Sequence, residues 1–466
     1  MPAHLLPASL LLLVSLSASG LEPAPSDLEE ARRLMERATT EGTAYDHVAS
    51  LTTEVGPRPA GSDGDKAAVA WAERRFRSLG IKEVRLQPVQ VPHWVRGTIE
   101  TRVTSPFPQP LVAAALGGSI GTPEQGLEGE VVAFPTLEAL RAASREQVEG
   151  RIVYIGQPAR RDATWAGYGE AVAKRVAGPS VASGLGARAL LIRSVGTSQS
   201  RLPHTGTLSY SVNAPKIPAA ALSNPDADLL ERMLAGGEAV TVFLKMTSRD
   251  LPYETSANVI AELPGSDLAE EIVLIGAHLD SWDLGTGAID DGAGVAIVME
   301  VAARLAALGK PLRRTLRVVL FASEEYTLAG ATAYSRLPED ELDRHVLAME
   351  ADAGAGAAVR LQSLLPEAQV GFADTVTELL KPLGIERGGN AAGGGPDIRP
   401  LVARGIPVLT IEQDVSAYLD AHHSPDDNLD KVDRVTLERV TAAYLATVYL
   451  ALQAEGEFGR MPERRP

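Results

Sequence analysis

The sequence predicts an α/β fold: a mostly parallel mixed sheet flanked by helices, with a smaller β-rich module inserted into it. Three observations carry this. From Ala257 onward, near-continuous apolar strands alternate with helical patterns, the rhythm of a sheet covered on both faces. Between about Gly126 and Met246 the texture changes to short β-like runs separated by turns. The length, 466 residues, suits two to four domains at roughly 100–200 residues each.

Composition narrows the function. Apolar residues make up 45 % and charged residues 22 %, as in an ordinary globular protein. The net charge of −16 argues against nucleic acid or an anionic membrane surface as partner. With no cysteine, disulfides, thiolate-bound metals and cysteine nucleophiles are all excluded.

Each element follows from local pattern. Leu10–Leu16, followed by Ser17-Ala18-Ser19-Gly20, is too short for a bilayer, which needs ~20 apolar residues, but suits a secretory leader. Residues 1–20 are expected to be a signal peptide, which implies a secreted or periplasmic protein with no stable membrane insertion after cleavage. Residues 21–40 read as a helical segment or propeptide, with Leu28, Ala31, Leu34 and Met35 on one face. Gly56-Pro57-Arg58-Pro59-Ala60-Gly61-Ser62 is a fixed loop, and Asp65–Leu79 a helix closed by Gly80. The main domain is expected over 41–125 and 247–466, the module over 126–246. Within the module, Val131–Phe134, Arg151–Ile155, Ala189–Ile192 and Val240–Leu244 read as strands and Asp226–Leu234 as a helix. In the main domain, strands are expected at Ala257–Leu263, Glu271–Ala277, Thr315–Phe321, His345–Ala351 and Pro407–Ile411. Helices are expected at Gly292–Leu308, Leu328–Leu337, Ala373–Leu380 and Arg434–Gln453.

Ligands gather at the carboxyl ends of such strands, and those ends carry His or carboxylate. One strand runs into His278-Leu279-Asp280, and Asp290-Asp291-Gly292 opens the next helix. Further ends carry Glu324-Glu325, Asp352 and His422-His423-Ser424-Pro425-Asp426-Asp427. Taken singly, a Glu-Glu pair is usually a solvated face and Asp-Asp-Gly a turn or helix cap; jointly they describe a metal site. Imidazole and carboxylate without thiolate suit Zn²⁺ and neighbouring divalent ions. Two ions ~3.5–4 Å apart need a bridging ligand, which a carboxylate provides. A histidine ligand has its second nitrogen held by an acceptor, and Asp280 stands two residues after His278. A glutamate outside the ligand set must then take a proton from the attacking water. Spacing leaves open which of Glu324 and Glu325 plays each role.

These residues resemble the M28 family of co-catalytic zinc exopeptidases, over nearly the whole chain after the leader. Gly56-Pro57-Arg58, Val91-Pro92-His93-Trp94, Gly118–Pro123, Leu191–Val195, Pro203-His204-Thr205-Gly206, Lys216-Ile217-Pro218 and His278–Asp283 carry the likeness beyond the site. The resemblance implies a zinc-exopeptidase, aminopeptidase-like fold with two Zn²⁺ per subunit. His278 and Asp352 would bind one ion, Glu325 and His423 the other, with Asp290 bridging and a cis bond often following it. The family's His-Ser/Thr order selects His423 over His422. Glu324 would be the general base and later the acid; Asp280, placed to hold His278, is the second catalytic candidate. The module would be a protease-associated domain covering the site or helping to form a homodimer. Asp426-Asp427-Asn428 and the glycine-rich run Gly388–Pro396 before Asp397 depart from the family pattern. Asp397, Tyr418 and His422 are the weaker substrate-binding candidates.

The expected function is hydrolysis of dipeptides or short peptides with free termini. A glutaminyl-cyclase-like acyl transfer and a non-catalytic binding module are the rivals. The complete ligand set and the inserted module favour hydrolysis.

Overall fold

The computed structural model describes residues 21–463, so the expected leader lies outside the described residues. After β1 (Glu83–Val95) the chain leaves the first sheet to build a second. That second sheet comprises β2 (Ile99–Ser105), β3 (Gln109–Pro110), β4 (Ala113–Ala115), β5 (Leu127–Phe134), β6 (Ile152–Ile155), β7 (Ala189–Arg193), β8 (Ala219–Leu222) and β9 (Thr241–Met246). The chain returns through β10 (Arg249–Leu263), β11 (Leu268–His278), β12 (Arg314–Phe321) and β13 (His345–Glu350). The first sheet is completed by β14 (Ala358–Leu364), β15 (Glu386–Arg387) and β16 (Val408–Gln413).

The first sheet is mixed, in the order β1-β10-β12-β11-β13-β16-β14-β15. Its centre, β12-β11-β13-β16, is parallel, and antiparallel pairs flank it: β1 with β10, β10 with β12, and β14 with β16. The centre reads as apolar because both faces are covered. Val273, Ile275 and Ala277 of β11 join a core with helices Ala293–Ala306 and Arg434–Gln453, whereas Leu274 faces the helix Ala329–Tyr334. The helix Arg434–Gln453 is long and apolar enough to cross a membrane, but it is packed inside the molecule.

The two strands that bracket the second sheet are neighbours, registered from Glu83 opposite Glu262 to Val95 opposite Arg249. The second sheet is therefore an excursion that leaves and re-enters at one margin of the first. It draws in β2, β3 and β4, which precede the Gly126 expected from sequence: β2 pairs with β9 and β4 with β8. Such short or half-exposed strands carry little apolar signal of their own. The helices Ala44–Glu54 and Ala166–Val176 also lacked a signal, the latter because Gly167 and Gly169 lower its intrinsic propensity.

Candidate metal centre and substrate cavity

The parallel strands deliver side chains to one end of the sheet. His278 is the last residue of β11, Glu324 and Glu325 follow β12, and Asp352 follows β13. Asp290 precedes the helix Ala293–Ala306, and His422 and His423 follow the short helix Tyr418–Ala421. The five expected ligands converge. His278 Nε2 lies 3.2 Å from Asp290 Oδ1 and 3.6 Å from Asp352 Oδ1. His423 Nε2 lies 2.9 Å from Glu325 Oε2 and 3.1 Å from Asp290 Oδ2. Two triads of potential ligand atoms result, His278/Asp290/Asp352 and Asp290/Glu325/His423, each within 4.8 Å, and they share Asp290.

The donor set fits divalent cations. Asp290 Oδ2 and Glu325 Oε1 are buried and make no hydrogen bond. Such groups are costly unless something else coordinates them. Asp290 Oδ2 approaches His423 without hydrogen-bond geometry, as two ligands of one ion do. Electrostatics agree on crowding. Burial opposes ionisation of Asp290, but the His278 hydrogen bond and the adjacent His423 and His422 imidazoles hold its carboxyl well below the usual range. Burial pushes Glu325 up to about 7, reinforced by Asp290. Glu324 is raised well above its ordinary value, first by burial and further by Asp352 and Glu325.

A buried scaffold holds this arrangement. His278 Nδ1 is 3.1 Å from the Asp280 carbonyl oxygen and 3.7 Å from its carboxylate, so the backbone is the nearer acceptor. The Asp280 carboxylate instead accepts the Glu324 and Glu325 backbone N–H groups, at 3.0 and 3.4 Å, and aims that turn. Asp291, joined to Asp290 by a cis bond, accepts the His278 N–H at 3.1 Å and the Gly294 N–H at 3.0 Å. Asp427 accepts the Ile289 N–H at 2.7 Å and the Asp290 N–H at 3.3 Å. Burial, and then the charge of Asp290, push Asp427 up to about 7. Arg58 is fully buried; its guanidinium donates to the carbonyls of Leu279, Thr286 and Gly287 at 2.5, 2.7 and 2.8 Å. It thereby ties the His278 strand end to the loop that carries Asp290.

The triads lie in a cavity of about 900 Å³. Glu324 lines it without belonging to either triad. Tyr418 and His422 also line it, His422 Nε2 being 3.4 Å from Asp290 Oδ2. Asp397 does not: it is buried, and the wall at that point is Gly393–Pro396 and Arg399. The turn after Pro396 points Asp397 inward, where its backbone N–H meets Glu350 at 3.3 Å. Gly395 packs against Glu350: a Cβ there would sit 2.2 Å from the Glu350 carboxyl carbon and push that buried side chain aside. Glu350, pushed up to about 8 by burial and Asp352, ends β13 and carried a strand-end signal as visible as that of Asp352. Trp165, Tyr168 and Arg175 reach the cavity from the second sheet's helical segment, and no short motif announced them.

Comparison with known proteins agrees with this geometry. The profile of peptidase family M28 matches residues 258–448. Carboxypeptidase Q of Homo sapiens is 34 % identical over 412 residues, 88 % of this chain and 86 % of the human protein. A peptidase M28 precursor from Shewanella amazonensis SB2B is 44 % identical, covering 94 % of this chain and 99 % of its own, with a TM-score of 0.92. A zinc aminopeptidase from Bacillus subtilis, 24 % identical over 88 % of this chain and 94 % of its own with a TM-score of 0.63, shares the fold. Fold and relatives together define a metallo-exopeptidase. The chain belongs to peptidase family M28.

Proposed function

We propose that the protein is a dizinc exopeptidase that hydrolyses dipeptides or short peptides with free termini. The observation that carries this is the Asp290 carboxylate, shared by two donor triads beside an unengaged glutamate. His278 and Asp352 would hold one Zn²⁺, Glu325 and His423 the other, with Asp290 between them. Bound there, the pair would polarise the scissile carbonyl and acidify the attacking water. Glu324 takes the proton from that water and returns it to the departing amine nitrogen, so it is restored each turnover. The Asp280 carboxylate accepts the Glu324 backbone N–H and so keeps that residue in place. The region of β2–β9 is proposed as a protease-associated domain, and the Leu10–Leu16 leader supports a secreted or periplasmic location. A homodimer is proposed from the family resemblance.

Glu324→Gln tests the reading. Loss of proton transfer is expected to lower kcat by about 10²–10⁴-fold while zinc content stays at two per chain. Near-parental turnover in that variant removes the base assignment. Elemental analysis finding one ion, or none, in active protein removes the paired site.

A further inference from the structure

Four rings form a continuous wall beside the second donor triad. His422 stacks on His423, centroids 3.6 Å apart. Tyr418 lies 4.8 Å from His422, Trp165 lies 5.4 Å from Tyr418, and Tyr168 lies 5.3 Å from His422. All four line the cavity. Two come from the first sheet's loops and two from the helical segment that the second sheet carries, so the wall exists only where the two parts meet.

The joint is fixed. His204, in the Pro203–Gly206 segment, places Nε2 3.0 Å from His422 Nδ1. The Thr205 N–H donates to the His423 carbonyl at 2.9 Å, and the Thr197 N–H to that of Leu419 at 3.0 Å. Of the four tryptophans, Trp71, Trp94 and Trp282 are buried, whereas Trp165 is 40 % exposed. Trp165 thus presents a large apolar ring to the cavity rather than to the core, as the lining of a binding cleft does.

Resting on the function proposed above, we infer that Trp165, Tyr168, Tyr418 and His422 form the subsite for a bulky apolar side chain flanking the scissile bond. His422 joins this wall to the second triad, stacking on His423 and lying 3.4 Å from Asp290, so a side chain beside a carbonyl bound at the triads would meet these rings. A wall of aromatic rings packs well against an aromatic or branched aliphatic occupant. The second sheet would thereby set side-chain selectivity while supplying none of the proposed metal ligands.

Two measurements on the full chain test this. In the first, kcat/KM is measured for Phe-Gly, Gly-Phe, Leu-Gly, Gly-Leu and Gly-Gly in the parent, Trp165→Ala and Trp165→Phe. The preference for bulky over glycyl substrates, in at least one of the two positions, is expected to fall about 10–100-fold in Trp165→Ala, the scale of a lost apolar contact surface. Trp165→Phe should restore most of it. An equal loss on all five dipeptides, or no loss, overturns the subsite. The second measurement needs no turnover. Emission of the parent, excited selectively at tryptophan, should shift to shorter wavelength with added phenylalanine but not with glycine, and Trp165→Phe should abolish the shift. A shift unchanged in Trp165→Phe, or absent in the parent, overturns the inference. A parent inactive on every dipeptide that still shows the Trp165-dependent shift would sink the proposed function and leave the subsite standing.

Discussion

Replacing Arg58 by Met removes a cation that touches no proposed metal ligand side chain, yet the structure assigns it a large effect. Its guanidinium is fully buried and makes its three short hydrogen bonds to the carbonyls of Leu279, Thr286 and Gly287, with a longer one to Gly56 at 3.4 Å. Hydrogen bonds to a charged group contribute about 1.5–3 kcal/mol each, and a buried acceptor left without its donor costs about 1–3 kcal/mol. Simple addition overshoots because the three share one donor group and the loop relaxes; breaking one side of a buried charged cluster typically costs about 3–5 kcal/mol. That range is expected here. Met fills the volume, so the loss reports the carbonyls and not a cavity. The same carbonyls anchor both ends of the loop between His278 and Asp290, so zinc affinity should fall about 10–100-fold, as for other groups that orient metal ligands. Arg58→Lys should rescue little, because one ammonium cannot span the fork. Thermal unfolding with and without zinc, together with competition against a chromogenic chelator, reads both effects. A variant that binds zinc like the parent and loses under about 1 kcal/mol would refute the reasoning.

Other expectations follow from separate features. Burial raises Glu300, but the adjacent His47 imidazole and hydrogen bonds from Thr43 and Arg304 outweigh it and hold the carboxyl at about 2, against an ordinary 4.5. A depressed carboxylate contributes stability that is complete above pH 4.5 and is lost as pH falls toward 2. At about 1.36 kcal/mol per unit this amounts to at most about 3 kcal/mol. Glu300→Gln should therefore flatten the acid limb of stability against pH over that window, and an unchanged limb would contradict the assignment. Chelation is expected to lower the unfolding midpoint, because Asp290, Glu325 and Asp352 then crowd without a counter-charge. Saturating zinc at 100 times its Kd should restore about 2.7 kcal/mol. A midpoint indifferent to chelator in protein shown to lose its zinc would count against the site.

The strand-end chemistry was legible in the sequence because a parallel centre is apolar to its last residue. His278, Glu324-Glu325 and Asp352 therefore stand out where β11, β12 and β13 end. The closing helix, Arg434–Gln453, was equally legible as a long apolar pattern, and the structure caps it with Asp433, whose side chain accepts the Thr436 N–H. Local pattern and tertiary placement agree at these points, as they must where one strand end builds one part of a site.

What the sequence could not decide was everything that depends on two distant segments meeting. Which glutamate faces which partner is set by the turn that Asp280 caps: Glu325 reaches His423, and Glu324 is left facing the cavity. Asp397 looked like a pocket residue by its place after a glycine run, but the chain turns it inward, and Arg399 takes the wall instead. The aromatic wall, the buried fork of Arg58 and the neighbouring of β1 with β10 around a long excursion have no local period or spacing to betray them. Sequence alone fixes which residue types stand at strand ends, because burial of a strand is written into its own side chains. Only the tertiary structure fixes what those ends face, because that depends on the packing of segments more than a hundred residues apart.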